Sequence, residues 1–331
     1  MECRPRGGLP HFFAKARTDA DIRVAYLGGS ITAAPGWRVY SLDGFKRQFP
    51  KARFTEINAA IGGTGSDLGA FRVGRDVIAH KPDLVFIEFA VNDGGADPDR
   101  VQASMEGIVR QILHADPATD ICFVYTLSEP MLPDLAKGVF PKAASAAPAT
   151  RTLPDPLRSD HWESAKLIPI DETMLRGPWR KVEPATDERA KAFQARLPVL
   201  WKAEAPGAEL AVAFEGTLLS LYDLAGPGGG VVSVSVDGNG PKSVPRFDGY
   251  CTYWRITQLT TGTQRAGRHL AVFTLEATKP DKAALLFERN RADYGKHPEK
   301  YADHTWYVSS LLLLGDMLPQ AAGATNADDA R

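Results

Sequence analysis

The chain has 331 residues, 44% of them hydrophobic and 24% charged, with a formal net charge of -1. That length can hold two cores, and the composition is that of an ordinary globular chain. The near-zero charge removes the electrostatic case for nucleic acid or an anionic membrane as partner. Cys3, Cys122 and Cys251, odd in number and far apart, argue against a disulfide framework or a CxxC zinc site.

No apolar run is long enough to cross a bilayer, since the longest, Val308 to Leu314, is interrupted by Ser309 and Ser310. The start, Met1-Glu-Cys-Arg-Pro-Arg, lacks the apolar centre of a secretory signal. The chain therefore reads as cytoplasmic as written, and as secreted or periplasmic if a leader has been trimmed.

The first half alternates strand and helix signals, the pattern of a parallel sheet with helices on both faces. Val24 to Leu27 is a buried strand that ends in Gly28-Gly29 and delivers Ser30 just beyond it. A helix is expected around Tyr40 to Gln48, a strand over Phe54 to Asn58, and the turn Gly62-Gly63-Thr64-Gly65-Ser66 before a helix that stops at Lys81-Pro82. The run Leu84 to Ala90 is the next strand, with Val91-Asn92-Asp93-Gly94 at its end. A helix from Pro98 to His114 then leads into the strand Ile121 to Tyr125. The strands beginning at Val24, Phe54 and Leu84 thus all end in polar, glycine-rich turns, and in an open α/β sheet those turns share one edge, where ligands bind. A serine, a glycine amide and an asparagine side chain converging there are the parts acyl transfer needs: a nucleophile, and donors aimed at a developing oxyanion. Singly, each is also ordinary turn or capping chemistry.

In this order the three turns resemble the SGNH, or GDSL-type, hydrolases. Gly28-Gly29-Ser30-Ile31 resembles the nucleophile block, with Gly29 where that family usually has aspartate. Asn58-Ala-Ala-Ile-Gly-Gly63 resembles the second block, and Val91-Asn92-Asp93 the third. The resemblance spans about residues 8 to 130. It implies a flavodoxin-like, doubly wound parallel sheet, with Ser30 as nucleophile and the Ser30 amide, the Gly63 amide and the Asn92 side chain as oxyanion donors. It requires no metal and no organic cofactor.

The same family carries its base and orienting carboxylate as Asp-x-x-His, and that spacing is absent. His11 precedes the first strand, His80 and His114 sit at helix ends, and His269 falls in a later strand. His161 beside Asp160, His297 before a proline, and His304 remain as candidates, as does a chain with no competent base. His161 with Asp160 is the provisional pair, because it lies nearest the family's position for the base. Ile168-Pro-Ile170 could supply a fifth strand, and a lost segment near 143–152 would account for the missing block.

Beyond Leu135 the alternation stops. Residues 137–205 read as linker and connecting segment, with a helix near Thr186 to Arg196. Short strand signals follow at Leu210–Phe214, Leu218–Tyr222, Val231–Val236, Tyr250–Ile256, His269–Leu275, Ala283–Phe287 and Trp306–Leu314. They predict an antiparallel, jelly-roll-like β-sandwich over 206–319, similar to the module beside the hydrolase domain in some carbohydrate esterases, and a disordered tail over 320–331. The α/β domain is expected over 1–136. The implied function is removal of a short acyl group, acetyl above all, from a small-molecule or oligosaccharide ester. The competing readings are a base-less, sugar-binding relative using Trp162, Trp179, Trp254 or Trp306, and a lipid or thioester acylhydrolase.

Overall fold

The computed structural model of the chain describes residues 8–126 and 152–319. Two compact units divide between Ala165 and Lys166.

In the first unit, strands β1 (Asp21–Gly28), β2 (Arg53–Asn58), β3 (Leu84–Glu88) and β4 (Asp120–Phe123) form a parallel sheet of order β2-β1-β3-β4. β3, and β1 from Val24 onward, are continuously buried, as expected of central parallel strands covered on both faces. One face carries α1 (Pro10–Ala16) and α3 (Trp37–Gln48), whose Phe12, Leu42 and Phe45 pack with Tyr26, Phe54 and Phe86. Asp120, buried in β4, accepts from the Phe12 amide at 2.8 Å and so ties the first turn of α1 to the sheet.

Elsewhere in this unit α4 (Ser66–Asp76) and α6 (Pro98–Ala115) lie side by side. Gly69 of α4 lets the Phe89 ring and Ile108 come within reach of its Cα. α6 starts where the chemistry dictates: Asp97 caps it by accepting from the Asp99 amide at 3.0 Å, and Pro98 occupies its first position.

The second unit is antiparallel. Its strands are β5 (Ala165–Pro169), β6 (Leu175–Arg176), β7 (Trp179–Val182), β8 (Leu200–Ala203), β9 (Glu209–Ala225), β10 (Val231–Val236), β11 (Lys242–Pro245), β12 (Arg255–Thr260), β13 (Gly267–Leu275) and β14 (Trp306–Met317). The path runs β11-β10-β13-β9-β14-β8-β7. Along one edge β9 pairs first with β13 (Glu209 to Gly216) and then with β12 (Ser220 to Ala225), so a single strand serves both layers of a sandwich. The corner is glycine-made. A Cβ on Gly216 would lie 2.8 Å from Gly315 Cα, and Gly315, at φ +146°, meets Glu215 backbone just as closely. Phe214, Leu221, Phe273, Leu311 and Leu313 fill the core.

Four expectations need correcting here. The described part of 137–205 is no mere linker, because β5 to β8 join the second sheet. Ile168 belongs to β5, which pairs with β14, and is not a fifth parallel strand. Leu210–Phe214 and Leu218–Tyr222 are one strand. Ala283–Phe287 begins as a helical turn, Lys282–Leu285, because Asp281 accepts from the Ala284 amide at 3.0 Å and caps it. The proposed lost segment near 143–152, save Thr152, and the tail over 320–331 lie outside the described residues.

Candidate active site

Ser30 opens the four-residue helix α2 (Ser30–Ala33) directly after β1 and is exposed, whereas Gly28 and Gly29 beneath it are buried. As the first helical residue its amide has no partner one turn back, which leaves that N–H pointing out of the helix. Gly62 lies alongside: a Cβ there would be 3.7 Å from Ser30 Cβ. Gly63 follows with φ +76°, a left-handed conformation that glycine adopts without strain and that sets the direction of its amide.

Asn92 belongs to the short helix α5 (Ala90–Asp93) after β3. Its Oδ1 is turned onto Gly29, so closely that a Cβ on Gly29 would overlap it. The Asn92 side chain makes no hydrogen bond among the described residues. The glycine standing at the family's usual aspartate position is therefore matched to the asparagine that packs on it. Ser30, Gly63 and Asn92 meet at one edge of the sheet.

Several neighbours hold this rim, and none of them was singled out from the sequence. Asp93 accepts from the Ser66 amide at 3.0 Å and caps α4; burial raises its pKa above the usual carboxylate range, partly offset by that bond. Arg72, fully buried, donates to the carbonyls of Ala59 and Gly28 and pairs with Asp76 at 3.1 Å, tying the ends of β1 and β2. Glu88, 2% exposed, accepts from the hydroxyls of Thr32 at 2.9 Å and Thr126 at 3.1 Å. The signal for it was available: a single charge in the otherwise apolar run Leu84 to Ala90.

His161 and Asp160 make no hydrogen bond to Ser30, Gly63 or Asn92 among the described residues. Segment 157–163 runs along α6: the Leu157 amide meets Glu106, Arg158 meets Asp99, and Glu163 meets Arg110. Trp162, 7% exposed, lies on Gly107 and Phe71. Gly107 is about 14 Å along the axis from the start of α6, at 1.5 Å per residue. His161 Nδ1 faces the Glu163 amide at 3.4 Å and its carboxylate at 3.7 Å. Asp160 is paired bidentately with Arg158, at 2.8 and 3.0 Å, which lowers its pKa. No hydrogen bond joins any histidine to the Ser30 hydroxyl among the described residues.

Histidines of the second unit have their own partners. His269 bridges Asp237 and the Arg265 carbonyl, His304 meets the Glu276 carbonyl at 2.6 Å, and His297 lies 3.6 Å from Glu299. The tryptophans weighed as sugar platforms are also occupied. Trp162 and Trp306 are buried, Trp179 packs on Trp306, and Trp254 packs on Gly226, where a Cβ would overlap its ring. Trp306 Nε1 donates to the buried Asp223 at 3.2 Å. Among the described residues no cluster of His, Cys, Asp and Glu could hold a metal, and no helix is long and apolar enough to cross a membrane.

An exposed serine at a strand-end glycine turn, with a left-handed glycine and an asparagine amide on neighbouring turns, is the set of groups that acyl transfer requires. Residues 26–165 match the model of the GDSL-like lipase/acylhydrolase family. Two crystal structures of a two-domain esterase (CEX) active on acetylated mannans share the whole architecture. One matches with TM-score 0.69 at 19% identity, covering 94% of this chain and 96% of that one. The other, co-crystallised with mannopentaose, matches with TM-score 0.67 at 18% identity, covering 93% and 94%. No curated protein matches the chain by sequence.

Proposed function

We propose that the chain is a serine esterase that removes a short acyl group, acetyl in the first instance, from an acylated oligosaccharide. The observation that carries this is the rim itself: Asn92 packed on Gly29 beside an exposed Ser30. The two-domain fold shared with a mannan-active esterase supports the carbohydrate class.

In this reading the Ser30 hydroxyl attacks the ester carbonyl and gives up its proton to an imidazole. The amides of Ser30 and Gly63 and the Asn92 Nδ2 hold the oxyanion until the sugar alcohol departs with a proton. Water then repeats the sequence on the acyl-serine. Fixed donors meet the charge that develops, so the step needs no metal. We assign the base to His161, the histidine nearest in the chain to the family's place for it. Asp160 is held by Arg158, and Glu163, 3.7 Å from Nδ1, would take the orienting role only on leaving Arg110 and His114.

Acetate release from an aryl acetate and from acetylated manno-oligosaccharides tests the reading. Ser30→Ala must abolish both, and retained turnover would overturn it. His161→Ala should lower kcat at least about 100-fold, within the range of a lost general base, with partial recovery in added imidazole. Unchanged turnover in His161→Ala beside a dead Ser30→Ala would remove His161 from the mechanism and leave Ser30 in it.

A further inference from the structure

We propose that Glu88 is a positioning residue for the nucleophile turn, acting through the hydroxyl of Thr32; this rests on the esterase reading above. Glu88 ends β3 and is 2% exposed. Its carboxylate meets two hydroxyls and, among the described residues, no cation. A buried carboxylate is costly unless each oxygen is satisfied, and an aliphatic side chain would fill the same strand end without that cost.

What the carboxylate adds is a grip on both sides of Ser30. The Glu88 backbone carbonyl accepts from the amide of Gly29, the residue before the nucleophile, at 3.2 Å. Its Oε2 accepts from Thr32, two residues after the nucleophile and fully buried, at 2.9 Å. Its Oε1 accepts from Thr126, beyond the end of β4, at 3.1 Å. Gly28 leaves room for this arrangement: a Cβ there would sit 2.5 Å from both the Glu88 carbonyl and Thr32 Oγ1.

Helix α2 cannot orient Ser30 by itself. It is a single turn, closed by Ala33 N to Gly29 O and Ala34 N to Ser30 O, both 3.0 Å, and one turn of helix is not self-stabilising in water. The orientation of the Ser30 hydroxyl and amide therefore depends on tertiary anchors, among them two buried bonds to Thr32: its hydroxyl to Glu88, and its carbonyl from Arg38 Nε at 2.9 Å. Releasing it lets the turn move while the surrounding rim stays in place.

The test compares Thr32→Val, which removes the hydroxyl at constant volume, with Thr32→Ser, which restores it, and with Glu88→Gln. Turnover of an aryl acetate is normalised to active sites titrated by the acyl-enzyme burst. Thr32→Val should lose about tenfold or more in kcat, as a misplaced reacting group does, with KM within about twofold of the parent. Thr32→Ser should return to within about threefold of the parent, and Glu88→Gln, which keeps one acceptor oxygen, should fall between them. A purely structural role would lower the melting temperature and the titratable fraction while leaving kcat per active site at the parent value, and that result overturns the proposal. If Thr32→Val does not fold, Glu88→Gln decides alone, with unchanged kcat per site counting against. Full turnover by Ser30→Ala would instead strike the esterase reading and is read independently.

Discussion

Gly29→Ala is the sharpest perturbation of the proposed oxyanion site, because the added methyl falls on the Asn92 amide. Its Cβ would overlap Asn92 Oδ1, lie 3.1 Å from Asn92 Cγ, and stand 3.3 Å from the Thr64 carbonyl. Carbon and oxygen need roughly 3.5 Å, so the amide must withdraw by about 1 Å. A donor placed at about 2.9 Å from an oxyanion then falls outside hydrogen-bond range. Losing one such donor costs about 100- to 1000-fold in kcat, or about 3 to 4 kcal/mol of transition-state stabilisation. KM should change little, since the donor acts on charge absent from the ground state. Asn92→Ala should reproduce the loss, and the double variant should be no worse than either single one, because both remove the same interaction. The assay is steady-state hydrolysis of an aryl acetate by the parent and the three variants. A Gly29→Ala protein within about threefold of the parent in kcat, or losses that multiply in the double variant, would refute the assignment of Asn92 as a donor.

Other consequences concern stability. Both ring nitrogens of His269 face acceptors, Asp237 Oδ2 at 2.7 Å and the Arg265 carbonyl at 2.8 Å, which fits a doubly protonated ring. The Asp237 carboxylate and then the carbonyl raise the His269 pKa above 6.5, so its contribution is present below about pH 6.5 and fades as pH rises through the higher folded value. His269 and the Leu270 amide lower the Asp237 pKa below 3.8, so that contribution is lost as pH falls through the lower folded value. The melting-temperature gap between parent and His269→Gln should be larger near pH 5.5 than near pH 9, about one unit below and well above the ordinary histidine value, and a gap independent of pH would count against the bridge. Gly107→Ala should cost about 1 to 3 kcal/mol in urea unfolding, because its Cβ would sit 2.6 Å from the Trp162 carbonyl oxygen and force segment 157–163 off α6. Gly74→Ala in α4, where nothing lies within 4 Å of the new methyl, should gain about 0.5 to 1 kcal/mol; equal effects at the two glycines would mean that helix propensity, not packing, sets the values.

The rim was legible because it is written in local chemistry. Gly28-Gly29-Ser30, Gly62-Gly63 and Val91-Asn92 each mark a strand end within a few residues, and parallel topology then brings strand ends together without further information. The surroundings of His161 were not legible, because its place is set by contacts at long range. Glu106, Arg110 and Gly107 on α6 decide where segment 157–163 lies, and no spacing within that segment reports it. The errors in the second unit share this cause. Leu210–Phe214 and Leu218–Tyr222 read as two strands in the sequence, whereas Gly216 between them is the point where β9 passes Gly315 of β14, about 100 residues away and invisible to a local window. The run Ala283 to Phe287 carries no period that separates strand from helix, and Asp281 settles the matter by capping the turn from outside the run. Ile168 and Pro169 do lie in a strand, but a strand's partner is a property of the sheet it joins, so its place beside β14 could come only from the folded chain. Glu88 joins the two kinds of information: a charge inside an apolar strand is visible in sequence, while its proposed purpose appears only when Thr32 of α2 and Thr126 beyond β4 are seen to close on it.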